Sequence, residues 1–228
     1  MAKSRRKSAA AASAAKSSRP SRKRAGGGGA RAAQGEKRRQ AILTAALEEF
    51  SARGFAAARL DDVARRANVA KGTIYLYFRD KETLFQELVR AELSPVVEAL
   101  ERAPMVDLPL GVVAERLVEL FVREIFATRR KNVIRLVLTE GPRFPAIAEF
   151  YYREVISHVV GVLRTLAEHA RERGELPNDS LVRFPQLLGA AGIVAIVWSG
   201  LFDRWAKLDA EAFMRAYFDL IFRKEQAP

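Results

Sequence analysis

The fold is decided by residues 60–85, which read LDDVARRANVAKGTIYLYFRDKETLF. Apolar side chains recur at helical spacing in this stretch and predict two short helices, over residues 60–67 and 71–78. Asn68 lies between them, and Asn enters the left-handed backbone conformation readily, as a tight turn requires. Two short helices joined by such a turn, after a longer helix, predict a helix-turn-helix.

The outward face of the second short helix is chemically suited to DNA. Its Thr and Lys can hydrogen-bond base edges, its Gly allows close approach to the sugar-phosphate wall, and its Tyr hydroxyls suit phosphate oxygens. The face consists of Lys71, Gly72, Thr73, Tyr75, Leu76 and Tyr77. Any small helical bundle has short helices and turns, so it is this face, more than the spacing, that indicates nucleic-acid binding.

The residues on either side of the motif continue the helical pattern. A helix over residues 36–53 carries a wide apolar stripe, and Gly54 stops it as a left-handed C-terminal cap would. Asp80 is predicted to cap a long helix that begins near Lys81, in which Pro95 marks a kink or a break.

The same helical period continues through the second half of the chain. Neither two-residue alternation nor an Asn-Gly or Asp-Gly hairpin turn interrupts it, so the chain is predicted to be all-α. Further helices are predicted over residues 108–128, 132–140, 146–173, 181–206 and 209–224.

The most apolar stretch, Leu187 to Phe202, is 16 residues long and rich in Gly and Ala. It is too short for a membrane span and is typical of a buried helix, so no membrane partner is expected. Together with the last helix it could form a four-helix seam between two copies of the chain. The alternative is that both helices pack only within one monomer.

The net charge of +12 arises entirely in the first 39 of the 228 residues, which hold 13 Lys or Arg and one acid. Residues 1–34 contain no Leu, Ile, Val, Phe, Tyr or Trp, and such a segment cannot offset the entropy cost of ordering. They are predicted to be a disordered basic arm. The arm lacks the apolar core of a secretory signal and the amphipathic face of a transit peptide. It could follow DNA phosphates or serve only as a solubilising tail.

Several function classes have no residues to support them. The chain has no Cys, which excludes disulfides, thiolate metal sites and a cysteine nucleophile. Its two histidines, His158 and His169, could share a helix face, but no third ligand accompanies them, so no metal site is expected. The glycines of residues 26–29 precede no strand and lack the P-loop lysine. We therefore expect no enzyme and no cofactor.

Residues 38–89 closely resemble the N-terminal domain of the tetracycline-repressor (TetR) family of bacterial regulators. The resemblance rests on the core Lys-Gly-Thr-Ile-Tyr-x-Tyr-Phe-x-x-Lys-Glu-x-Leu, residues 71–84. It implies a homodimeric repressor that binds double-stranded DNA at a pseudo-palindromic operator. It also implies a C-terminal helical domain that holds the two-fold interface and a pocket for a small effector.

The resemblance also implies roles for individual residues. Lys71, Gly72, Thr73 and Leu76 fall where bases are approached, whereas Tyr75, Tyr77 and Lys81 fall where phosphates are held. Three residues depart from the family pattern. Arg59 replaces the usual Ser or Thr that caps the second helix and touches phosphate, Ala70 replaces a frequent Ser, and Leu76 replaces a frequent His or Tyr. An apolar side chain at Leu76 suits a thymine methyl.

The effector pocket implied by the family has candidate residues in the second half of the chain. They are the large apolar and aromatic residues Phe121, Ile125, Phe126, Leu136, Phe150, Tyr151 and Trp198. Taken singly, each of them is more typical of an ordinary core residue, so the pocket is implied by the family and not by these residues.

The sequence therefore predicts three parts: the basic arm (residues 1–34), a helix-turn-helix DNA-binding domain (35–80) and a helical effector-binding and dimerisation domain (81–228). The predicted function is that of a cytoplasmic, nucleoid-associated bacterial repressor released from its operator by a small, largely apolar effector. The alternative is a nucleoid-type architectural protein that binds DNA through the basic arm without sequence specificity.

Overall fold

The computed structural model describes residues 27–222, and these contain helices and turns but no strand. The all-α prediction is confirmed. The α-helices are α1 (Gly27–Ala57), α2 (Leu60–Arg66), α3 (Lys71–Tyr77), α4 (Lys81–Arg102), α5 (Leu110–Leu120), α6 (Arg130–Glu140), α7 (Pro145–Tyr151), α8 (Ser157–Glu172), α9 (Ser180–Arg183), α10 (Leu187–Leu201) and α11 (Ala210–Phe222). Two π-helical segments, Phe121–Phe126 and Tyr152–Ile156, continue α5 and α7 without a break.

Helix α1 begins earlier than the sequence pattern predicts. Residues 27–34, which were expected to belong to the disordered arm, are helical, and the arm's residues 1–26 lie outside the described part of the chain. Residues 31–40 consist almost entirely of Ala, Arg, Gln, Glu and Lys, which have high intrinsic helix propensity. Extending an existing helix needs no new nucleus, so large apolar side chains are not required for it.

Contacts within the chain divide it after Glu36, and residues 37–222 belong to one compact unit. In this unit α1 bends at Gly54, where the backbone has a φ of 73°. The expected glycine stop is therefore present as a bend, after which the helix continues as far as Ala57. The bend turns the side chain of Phe55 into the core.

Four phenylalanine rings join the first half of the chain to the second. The ring of Phe55 lies 5.6 Å from those of Phe50 and Phe85 and 4.9 Å from that of Phe144, measured between centroids. Phe144 precedes α7, whereas the other three belong to α1 and α4. A single core cluster therefore crosses residue 80, where the sequence suggested a domain boundary.

The proline in α4 does not end the helix, which runs through Pro95 to Arg102. Proline has no N–H, so it cannot donate to the carbonyl of Ala91 four residues earlier. Arg130 Nε donates to the neighbouring carbonyl of Glu92 at 2.8 Å. A side chain from outside the helix thus binds a backbone oxygen beside the proline.

The predicted helix over residues 181–206 is wrong in its extent. It is two helices, α9 and α10, separated at Phe184, and α10 ends at Leu201. Phe184 precedes Pro185 and has a φ of −129°, because a residue before proline is driven out of the helical region. The predicted helix over residues 146–173 corresponds to α7, its π-helical continuation and α8. The last helix is observed to Phe222, and residues 223–224 lie outside the described part.

A second core cluster fills the space between α5, α8, α10 and α11. Its fully packed members include Val118, Ala167, Ala191, Met214 and Phe218. Within residues 27–222, no helix combines the length and the apolar character needed to cross a membrane.

Candidate nucleic-acid interface

Helices α2 and α3 are held together by small and branched apolar side chains. Val63, Ala64 and Ile74 are almost completely buried between them. Asn68 adopts a φ of +53°, and Val69 N donates to Ala64 O at 3.0 Å, which closes the turn. The left-handed residue and the helix-turn-helix geometry predicted from the sequence are therefore present.

The outward face of α3 projects directly into solvent. Leu76 is 83% exposed and Tyr75 48%, while Thr73 and Tyr77 are half-buried. Gly72 is exposed, and apart from the neighbouring backbone of α3 no atom lies within 4 Å of the position that a Cβ would occupy. The face predicted to approach bases therefore consists of a protruding apolar side chain beside an open stretch of backbone.

Lys71, at the first position of α3, is held by a carboxylate from α2. Its Nζ lies 2.7 Å from Oδ2 of Asp61, and this hydrogen bond raises the pKa of the Lys71 ammonium above its ordinary value. Asp61 Oδ1 is buried without a hydrogen-bond partner. The ammonium keeps further N–H donors for an acceptor outside the protein.

Four of the predicted DNA-contacting residues surround one surface depression of about 380 Å³. These are Arg59, Lys71, Tyr75 and Lys81, and Arg79 lies on the same rim. Arg59 is exposed at the start of α2 and makes no side-chain cap there. The depression thus gathers four cationic side chains and one phenol with the carboxylates of Asp61 and Asp80, and the excess of positive charge suits a phosphate contact.

Arg79 is a cation that the sequence analysis did not single out. Its side chain is 85% exposed, and its Nε lies 2.9 Å from Oδ2 of Asp80. The signal available in the sequence was a basic residue two positions after Tyr77, the second tyrosine of the motif. Its position beside Lys81 becomes clear only when α3 and α4 are packed together.

The side chain of Lys81 makes several contacts within the protein, unlike a side chain that serves only as a surface phosphate contact. Its Nζ donates to the carbonyls of Phe55 at 2.9 Å and Ala56 at 2.8 Å, and lies 4.8 Å from the centre of the Phe55 ring. The ammonium therefore binds the last carbonyls of α1. One of its three N–H donors remains for phosphate.

Asp80 fixes the start of α4 beside this depression. Its Oδ1 accepts a hydrogen bond of 2.7 Å from the backbone N–H of Thr83, which is the cap predicted from the sequence. This bond stabilises the ionised carboxylate and lowers the pKa of Asp80 below its ordinary value.

The predicted effector-binding residues divide between the protein core and the surface of α10. Six of them are gathered in or against the first core cluster: Phe121, Ile125, Phe126, Leu136, Phe150 and Tyr151. Burial raises the pKa of the Tyr151 phenol to about 12. Trp198 is apart from them, partly exposed on α10, with its Nε1 donating to Ala206 O at 2.7 Å. A cleft of about 470 Å³ between α4 and α8 is lined by other residues.

The histidines are engaged in ordinary contacts. His158 Nδ1 lies 2.8 Å from Glu101 Oε1, and His169 Nδ1 lies 2.9 Å from the carbonyl of Thr165. Among residues 27–222, no three His, Asp or Glu side chains come together as a metal site would require.

Comparison with known proteins gives matches over both halves of the chain. Residues 42–88 match the family described as bacterial regulatory proteins, tetR family, and residues 110–184 match the C-terminal domain of AefR-like transcriptional repressors.

Two curated relatives and one solved structure extend these matches. The HTH-type transcriptional regulator AcrR of Shigella flexneri is 28% identical over 171 residues, covering 73% of this chain and 77% of AcrR. The uncharacterized HTH-type transcriptional regulator TtgW of Pseudomonas putida is 30% identical over 103 residues, covering 45% of this chain and 74% of TtgW. The SmeT–triclosan complex has the same fold, with a TM-score of 0.67 at 18% identity, over 84% of this chain and 97% of SmeT.

Proposed function

The chain belongs to the TetR family of bacterial regulatory proteins, and from this premise we propose that it is a repressor released from its operator by a small, largely apolar effector. In this proposal residues 35–80 read DNA, and residues 81–228 bind the effector and dimerise. The observation that carries the proposal is the exposed face of α3 with the cationic depression beside it.

The proposed division of labour on DNA follows from the chemistry of each side chain. Thr73 and Lys71 approach base edges, with Leu76 positioned for an apolar contact such as a thymine methyl. Tyr77, Lys81 and Arg59 face phosphates, which position the protein without reading sequence. Arg79 joins this second group because it lies on the same rim.

A homodimer is proposed because α3 has only seven residues and one such helix reads too few base pairs to be selective. Two copies placed on a two-fold axis would read two half-sites of a pseudo-palindrome in successive major grooves.

Helices α10 and α11 supply the proposed dimer seam. Apolar side chains on them remain in contact with solvent, including Ile193, Val194, Val197, Leu201 and Leu220. Isolated exposed apolar residues are common, but a contiguous set on one helix is typical of a protein interface. The seam is tested by replacing Val194 with Asp, which should convert dimers to monomers in sedimentation velocity.

Release by an effector is proposed as a shift between two dimer states. SmeT was solved in complex with triclosan, and we infer that a small molecule acts on this chain too. An effector can move the equilibrium only by its differential affinity for the two states. By reciprocity, operator DNA must lower effector affinity by the factor by which effector lowers operator affinity.

The test of sequence-specific binding begins with selection of bound sequences from a random DNA pool. The selected site should be pseudo-palindromic and bind at least about 10³-fold more tightly than bulk DNA. If no such preference is found, the result supports the architectural alternative, in which the basic arm binds DNA without sequence specificity. The family match does not favour that alternative.

The residue-level test is Thr73→Ala, which should weaken binding to the selected site by about 1–3 kcal/mol and change binding to random DNA little. Thr139→Ala, on α6, is the matched control and should leave both affinities unchanged. Equal losses on both DNAs would make Thr73 a phosphate contact.

A further inference from the structure

An open cleft of about 470 Å³ separates the end of α4 from α8. Its floor is formed by Leu100, Met105 and Leu166, which are almost fully buried, and its rim carries the hydroxyls of Ser157 and Thr165. Small-molecule sites have this size and combine an apolar surface with a few polar groups. The predicted effector residues contribute nothing to this cleft.

Gly161 lies on the α8 wall of the cleft, and the space that its side chain would occupy is empty. Apart from the neighbouring backbone of α8, no atom lies within 4 Å of the position that a Cβ would occupy. Gly in the interior of a helix costs about 1 kcal/mol relative to Ala. Here that cost is not offset by close packing of another helix, so the glycine leaves open volume within the cleft.

The polar end of the cleft is defined by Glu101 and His158. His158 Nδ1 lies 2.8 Å from Oε1 of the Glu101 carboxylate, and both side chains are half-exposed. Arg173 reaches the same end through Val106 O, but its guanidinium is already paired with Glu175. The pair therefore offers a carboxylate as a hydrogen-bond acceptor, and at most one positive charge balances it. Such a site favours a ligand group that donates a hydrogen bond or carries a positive charge over an anionic group.

We propose that this cleft is the effector site and that it takes an amphipathic molecule with an apolar body and a cationic or hydrogen-bond-donating head. The body lies on Leu100, Met105 and Leu166, and the head binds the carboxylate of Glu101. This inference rests on the proposed function and names its ligand class. An occupant would contact α4, the helix whose first turn holds Lys81 at the DNA-binding depression.

Methionine methyl groups provide a direct probe, because the full chain has only Met1, Met105 and Met214. Protein carrying 13C-methyl methionine is titrated with n-octylammonium and octanoate below their micellar concentrations and with octan-1-ol below its solubility limit. The Met105 resonance should shift saturably, with octylammonium binding most tightly and octanoate most weakly. Met214, buried on α11, is the internal reference. An unmoved Met105 resonance, or equal affinity for octanoate, overturns the proposal.

Two substitutions at one position separate occupancy of the cleft from general effects on folding. Gly161→Leu fills the open volume and should abolish the Met105 shift. Gly161→Ala adds a methyl group in free space and should keep it. Both variants should retain the wild-type helical circular dichroism. If folded Gly161→Leu protein still shows the full Met105 shift, the titrated ligand does not bind in the cleft and the proposed site is wrong.

The role of the carboxylate is tested by Glu101→Gln. This variant should bind octan-1-ol as the wild type does and lose about tenfold in octylammonium affinity. Unchanged octylammonium affinity would remove Glu101 from the site.

The effector role is tested by repeating the octylammonium titration with selected operator DNA present. Operator should weaken octylammonium binding by the factor by which octylammonium weakens operator binding. Equal octylammonium affinity with and without operator overturns the effector role. If the unliganded protein selects no operator, the proposed function is overturned instead. The titration without DNA still reports whether octylammonium binds in the cleft, so the two failures can be distinguished.

Discussion

Arg129 Nη2 lies 2.6 Å from Oε1 of Glu92, a carboxylate whose side chain is only 8% exposed in the middle of α4. The same guanidinium donates through Nη1 to Thr44 Oγ1 at 2.6 Å. Arg129 immediately precedes α6, so one side chain links α1, α4 and the start of α6. The adjacent Arg130 binds the Glu92 carbonyl beside the proline. The DNA-binding and C-terminal halves are thus joined by polar contacts as well as by the phenylalanine cluster.

Replacing Arg129 with Met should lower the free energy of unfolding by about 1–3 kcal/mol. Removing one partner of a buried pair leaves an uncompensated buried charge, and the half-exposed arginine reduces the cost below that of a fully buried pair. Urea denaturation measures the change. The matched control is Arg123→Met, since Arg123 forms an exposed pair with Glu124 and should cost under about 0.5 kcal/mol.

The double variant Arg129→Met, Glu92→Leu completes this test. It should recover part of the lost stability because both charges are gone. A double variant as unstable as the sum of the single variants would show that the pair itself contributes nothing.

Two glycines three residues apart on α10 should respond oppositely to the same substitution. A Cβ at Gly192 would lie 2.7 Å from Cε2 of Phe121, whereas a Cβ at Gly189 would meet only Leu163 Cδ1 at 3.9 Å. Gly192→Ala should therefore destabilise the protein by about 1–3 kcal/mol through overpacking. Gly189→Ala should be neutral or stabilise it by up to about 1 kcal/mol through helix propensity. Equal changes in thermal unfolding would contradict the packing seen at Phe121.

Tyr77→Phe and Lys81→Met should both weaken binding to all DNA sequences by similar factors, because phosphate contacts carry no sequence information. They should differ in stability. Lys81→Met loses hydrogen bonds to two carbonyls at the end of α1 and should cost about 1–2 kcal/mol, whereas Tyr77→Phe should cost little. Affinity for operator and random DNA is measured by fluorescence anisotropy. A changed sequence preference in either variant would identify a base contact.

Alkaline pH should destabilise the protein partly through Tyr151. Its pKa is raised to about 12, so the folded state holds the phenolic proton more tightly than the unfolded state does. Its contribution to stability is complete below pH 10 and is lost as pH rises toward 12, at about 1.4 kcal/mol per pH unit. Between pH 8 and pH 11 the wild type should therefore lose about 1 kcal/mol more than Tyr151→Phe. Urea denaturation of both proteins at each pH measures this difference.

The basic arm should raise DNA affinity without regard to sequence. Residues 1–26 contain nine Lys or Arg and no acid. Deleting residues 2–26 should flatten the dependence of log affinity on log salt by several units per dimer, because each lost phosphate contact removes about 0.9. Octylammonium affinity should be unchanged.

A variant with an arm of the same length, in which the nine basic residues are Gln, is the control for length. It should show the same salt dependence of DNA affinity as the deletion variant. A deletion variant with the full-length salt slope would support the solubilising tail.

The sequence by itself determined the helix-turn-helix, because its signals act over a few residues. The left-handed turn at Asn68, the Asp80 cap and the buried Ile74 each follow from spacing within one or two helical turns. The break at Pro185 was also present in the sequence, but the continuous apolar pattern obscured it. The early start of α1 reflects helix propensity, which the absence of large apolar residues concealed.

Only the tertiary structure decided which side chains meet across the chain. Periodicity identifies the face of a helix that is buried but not the residue that it contacts. Lys71 and Asp61, Lys81 and the carbonyls of Phe55 and Ala56, and Glu101 and His158 therefore became partners only through packing. The effector candidates show the same limit, because an aromatic residue that fills a core and one that lines a cavity have the same sequence pattern. Their separation depends on where the helices leave space, and that is set by packing between residues far apart in the chain.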